Sequence, residues 1–131
     1  MANVNIVSVT SIYGGNYGWA LSNTVTATLL TVAADKLLKI NRIVCANVDG
    51  TNAADLNLYV DGMGTANANG LTVTGASATT YLAKTISVPA DASLVVSDTP
   101  IYLMEGDVLK GGASATGDLE LFISYEVLDD A

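Results

Sequence analysis

The stretch 117–127, GDLELFISYEV, decides the fold. Leu119, Leu121, Ile123, Tyr125 and Val127 fall on every second residue, with Glu120, Phe122, Ser124 and Glu126 between them. Successive side chains of a strand point to opposite faces, so this is a strand with one core face and one wetter face. The Gly117-Asp118 step ahead of it supplies turn chemistry, and the same punctuation recurs at Asp49-Gly50, Asp61-Gly62 and Glu105-Gly106-Asp107.

Working outward, similar runs follow at spacings of eight to a dozen residues. Strands are expected at 3–10, where Val4 and Ile6 alternate before the phase shifts, and at 24–32. In 37–48 the expected faces are Leu38, Ile40, Val44, Ala46 and Val48 against Leu37, Lys39, Asn41, Ile43, Cys45 and Asn47, with Arg42 interrupting. Shorter strands are expected at 56–60, at 82–88 (Leu82, Ile86 and Val88 against Tyr81, Ala83, Thr85 and Ser87), and at 93–97, 101–104 and 108–112. About eight or nine strands without helical periodicity predict an all-β, antiparallel two-sheet sandwich, jelly-roll-like.

With 131 residues the chain suits one β-sandwich domain over 1–131, with 1–20 a candidate N-terminal arm and 62–80 a long loop or extra strand around Leu71–Val73. The segment 13–19, YGGNYGW, reads as irregular because of its glycines.

Half the residues are hydrophobic and only 14% are charged, against about 25% in an average soluble domain. A small monomer with so few charges has difficulty covering its surface, which points to assembly with other subunits. The net charge of −8, with five scattered basic residues, excludes the clustered cations that nucleic acid or an anionic membrane requires. No apolar run reaches the roughly 18 residues of a membrane-spanning helix. The start, MANVNIVSV, lacks the positive region of a signal peptide, so synthesis in a cytoplasm is expected.

Chemistry is sparse. Without histidine no Ser-His-Asp or Cys-His arrangement exists. No zinc or dinucleotide spacing is present, so no cofactor is expected. The loop 49–55, DGTNAAD, resembles a calcium loop only faintly and lacks its final glutamate. Glu105 and Asp107 are expected on an exposed hairpin tip, without the desolvated second environment a carboxylate pair needs for catalysis. Cys45, the one cysteine, is expected as a small core residue. The better functional candidates are apolar: Tyr13, Tyr17 and Trp19 as partner contacts or as stacking platforms for a glycan, and Val4 and Ile6 as contacts of the arm.

The segments MANVNIVSVTSIYG, KLLKINRIVCANVDGTNAADLNLYVDG and YLAKTISVPADASLVVSDTPIYLMEGDVLKGGASATGDLELFISYEV resemble a family of small virion proteins of tailed phages, notably those infecting marine cyanobacteria. The resemblance spans most of the chain and is weakest at 13–20 and 62–80. It implies a structural role on the particle and no enzymatic activity. Small sandwiches of this kind serve as capsid decoration (cement) proteins, sitting as homotrimers on the outer shell, or belong to the tail, neck or fibre. The implied partners are the major capsid protein or other virion proteins, and further copies of the chain.

Overall fold

A computed structural model describes residues 4–62 and 78–130. Nine strands build two antiparallel sheets: β1 (Ser11–Ala20), β2 (Thr28–Thr31), β3 (Lys36–Asn47), β4 (Ala54–Asp61), β5 (Thr79–Val88), β6 (Ser93–Ser97), β7 (Ile101–Leu103), β8 (Val108–Ala113) and β9 (Leu119–Asp129). One sheet runs β1-β9-β3-β6, with β7 also on β3; the other runs β2-β8-β4-β5. Most successive strands cross from one sheet to the other, which is the wrapped order of a jelly roll. The expected all-β sandwich is therefore the architecture found.

β9 lies at the centre of the first sheet and behaves as its pattern dictates. Leu119, Leu121 and Ile123 are fully buried, and Tyr125 and Val127 pack against the same core. Across the sandwich they meet Leu56, Leu58, Val60, Leu109 and Ala113 of β4 and β8, which belong to the same core cluster.

β3 departs from simple alternation. Ile40 pairs with Tyr125 and Arg42 pairs with Ser124, so Asn41 is an extra residue in the ladder. A bulge of one residue swaps the faces of everything beyond it. Leu38 and Ile40 point inward before the bulge; Ile43, Cys45 and Asn47 do so after it, while Arg42 is exposed and Val44 half-exposed. The expected face carrying Val44, Ala46 and Val48 is thus corrected. β5 repeats the device: two register shifts against β4 and a positive φ of 50° at Thr85 leave Ala83 and Val88 as its buried positions, and Ile86 exposed.

The N-terminal reading also changes. Residues 4–10 form no strand; Asn5 closes a turn by accepting the Val7 N–H on Oδ1 and the Ser8 N–H on its carbonyl. The strand is 11–20, the glycine-rich stretch that reads as irregular and as part of an arm. Its glycine at position 15 has a tertiary cause. A Cβ there would stand 2.9 Å from the Tyr125 hydroxyl, so the ring of the β9 tyrosine lies across the strand where glycine leaves room. Gly111 serves the second sheet similarly, since a Cβ would collide with the Asn57 carbonyl oxygen on β4. The expected extra strand around Leu71–Val73 lies outside the described residues.

The buried Asn47 side chain is fully hydrogen-bonded. Asn47, 3% exposed, donates from Nδ2 to the carbonyls of Asn52 and Val88, at 2.9 Å each, and accepts the Asp49 N–H on Oδ1. It ties the end of β3 to the following loop and to the end of β5.

Deleting Asn41 removes the extra residue, so Leu38 and Ile40 before it and Ile43 and Cys45 after it keep their inward faces, and the shortened chain should still unfold cooperatively. Asn41→Ala keeps the residue count and loses only the hydrogen bond to Glu126, so it should cost about 1 kcal/mol or less. Thermal melts of the two variants check this; loss of cooperative unfolding on deletion would contradict the bulge's role.

Candidate functional site

The two outer strands that face each other at one side of the sandwich differ in length: β1 has ten residues and β2 has four. The inner face of β1 is set by its register, with Tyr13 opposite Val127, Gly15 opposite Tyr125, Tyr17 opposite Ile123 and Trp19 opposite Leu121. These side chains point toward the core side, yet Tyr13 and Tyr17 are 57% and 56% exposed because the facing sheet ends beneath them. The result is an open groove of about 450 Å³ lined by Tyr17, Trp19, Leu29, Leu30, Tyr125 and Val127, with Lys36 at its rim. Tyr17 and Trp19 form a tilted pair, centroids 4.9 Å apart and planes at 46°. The Lys36 ammonium is held by Asp129 at 2.9 Å.

The structure therefore brings Tyr17 and Trp19 together and places Tyr13 on the same strand face. Val4 and Ile6 do not join them; they precede β1, Val4 half-buried and Ile6 exposed.

Sequence reasoning missed a second surface, the outer face of the first sheet. Gly18 pairs with Phe122, Phe122 with Val44 and Val44 with Val95, so these four residues form one row across β1, β9, β3 and β6. Phe122 and Val95 are exposed at 45% and 46%. Beside the row, Gly18, Ala20 and Ala46 floor a shallow depression of about 440 Å³ bounded by Glu120 and Phe122. Phe122 among the polar residues of β9 was the available signal. Val44 joins it only because of the Asn41 bulge.

The acidic turns are structural. Glu105 accepts the Asp35 N–H at 2.6 Å, linking the β7–β8 turn to the β2–β3 turn. Asp107 is buried rather than exposed at the tip as expected, and its carboxylate accepts the Met104 N–H at 2.8 Å. Desolvation pushes its pKa up, with the Met104 hydrogen bond opposing. Asp49 lies below the usual carboxylate range because the Thr51 N–H, and then the Asn52 side chain, donate to it. Asp61 is lowered by the hydrogen bond from the Lys110 ammonium at 2.9 Å, and Lys110 is raised in return. Burial raises the Cys45 thiol to about 11, so it holds its proton at neutral pH. Among the described residues no cluster of three or more His, Cys, Asp or Glu is placed to hold a metal ion.

No family model and no curated protein matches the chain. Among solved structures it is similar to a chain in the structure of infectious bursal disease virus, Gt strain, with 13% identity and a TM-score of 0.29. The alignment covers 93% of this chain and 34% of that one, so this chain spans about a third of its length. A likeness of that strength carries no argument about function.

Asp107 yields a pH prediction. Its folded-state pKa is raised, so the folded form holds the proton more tightly than the unfolded form, and stability falls as pH rises through the folded value. Asp107→Asn removes that dependence. The melting temperature of the variant relative to the native chain should increase from about pH 3 to about pH 7; a constant difference would show that Asp107 titrates as an ordinary exposed acid.

Proposed function

We propose that this chain is a non-enzymatic virion structural protein of a tailed phage, a capsid decoration protein that binds the outside of the shell as a homo-oligomer and stabilises it. The observation that carries the proposal is the exposed apolar row Phe122–Val44–Val95 on the outer face of a sheet whose other face is the core. A rigid sandwich with an apolar outer face suits a protein whose work is to add buried area between neighbouring shell subunits. The sequence resemblance to small tailed-phage virion proteins supports the same reading.

Charge supports the location. A chain of net charge −8 stays soluble in many copies before assembly and is repelled by packaged DNA, which favours the outer surface of the capsid. The major capsid protein is then the partner, and the chain is made in the host cytoplasm and works on the virion. A tail, neck or fibre position is the alternative within the same class.

One observation favours a second reading. The Tyr17–Trp19 pair opens onto a groove with Lys36 at its rim, an arrangement suited to stacking against a host glycan. Under that reading Trp19→Ala abolishes host adsorption and leaves particle stability unchanged; unchanged adsorption removes it.

Quantifying the chain against the major capsid protein in purified particles of the encoding phage tests the main proposal. Decoration requires copies in the hundreds, a tail component copies in the tens, and absence from the particle would overturn the virion reading altogether.

A further inference from the structure

Exposed sheet edges offer unpaired N–H and C=O groups to any strand that approaches, and soluble proteins protect them by shortness, charge, proline or bulges. Three edges of this sandwich are protected in these ways. β2 has four residues and a register shift against β8. β5 carries Lys84, two register shifts and the positive φ of Thr85. The edge made by β6 and β7 is broken into pieces of five and three residues by a turn containing Asp98 and Pro100.

β1 has none of these devices. Its ten residues, SIYGGNYGWA, contain no charge and no proline. Its pairing with β9 runs from Ser11↔Asp129 to Ala20↔Glu120 without a shift. Among the described residues no strand pairs with its other side. It also presents Ile12, Tyr13 and Tyr17, each more than half exposed.

We infer that the free edge of β1 is a self-association site, at which β1 of one molecule pairs antiparallel with β1 of a second copy across a two-fold axis. Two arguments select a second copy. The first is charge: two chains of net charge −8 repel, and this ten-residue edge is free of acids; the nearby Asp129 carboxylate is paired with Lys36. The second is self-complementarity. Same-face pairing across a dyad requires opposed residues whose numbers sum to an even value. Centring on Gly15 sets Tyr13 of each copy against Tyr17 of the other, giving two aromatic cross-strand pairs. It also sets Gly15 against Gly15, where the Tyr125 rings already occupy the space above the strand.

A ten-residue strand is about 33 Å long. Pairing along it, with side chains of both faces contributing, covers on the order of 500 Å² per copy and about 1,000 Å² in total, the lower bound for a specific interface. The dimer therefore forms at high local concentration, as on a crowded surface, and dissociates on dilution. The inference goes beyond the virion reading and does not depend on it. An isologous edge closes on two copies, so it replaces the three-fold association that the resemblance implies.

Gly14 provides a clean test. A Cβ there meets nothing within 4 Å, and the strand is unstrained at that point, so Gly14→Lys adds an edge charge without disturbing the fold. Sedimentation of the full chain from micromolar to millimolar concentration should show a monomer–dimer equilibrium. Gly14→Lys should weaken it about tenfold or more, and Asn16→Lys should act likewise, with native melting temperatures at dilution for both. A native chain that stays monomeric throughout, a trimer, or a dimer unaffected by both substitutions in folded protein would each overturn the inference.

Discussion

The structure turns on a mismatch: a ten-residue strand, β1, closes one sheet where the other ends in a four-residue strand, β2. A two-sheet sandwich hides the inner face of each strand against the opposite sheet, and here that cover runs out. The aromatic groove on that side follows. Tyr13 and Tyr17 point to the core side yet stand in solvent, the Tyr17–Trp19 pair lines an open groove, and Tyr125 crosses onto Gly15 to fill part of the gap. The same strand runs straight and uncharged along its free side.

Burial in the rest of the sandwich depends on where the ladder slips. Without the bulge at Asn41, a regular β3 of the same length would send Arg42, Val44 and Ala46 inward and Ile43 and Cys45 outward. With it, Ile43 and Cys45 lie wholly buried against β9 and Val44 joins Phe122 outside. One bulge therefore fills the core and creates the apolar row on the outer face. Asn47 closes the same end of the strand with three hydrogen bonds, so the bulged strand is fixed at both its ladder and its exit.

The legible parts were those where local pattern and tertiary role agree. β9 alternates cleanly and sits at the sheet centre, and the Asp-Gly and Pro punctuation marks where strands end, so the sandwich class could be read directly. β1 could not, because Gly14, Gly15 and Gly18 argue locally for a loop and the reason for Gly15 lies over a hundred residues away at Tyr125. Residues 3–10 misled in the opposite sense: Val4 and Ile6 alternate, but Asn5 diverts the backbone into a turn. The bulges at Asn41 and Thr85 shift the phase of β3 and β5; in β3 the sign was Arg42 interrupting the expected core face, but it did not show which side the later residues take. Of the candidate contacts, Tyr13, Tyr17 and Trp19 were found by residue type; Phe122, Val44 and Val95 required the register.

Amide hydrogen exchange on dilute protein is the most direct test of the central claim that β1 is a regular strand with one side uncovered. An edge strand bonds every second amide to its neighbour and leaves the others to water. The account predicts slow exchange throughout β9 and β3, and alternating slow and fast exchange from Ser11 to Ala20. Uniform protection along β1, or uniform loss of protection there, would contradict it.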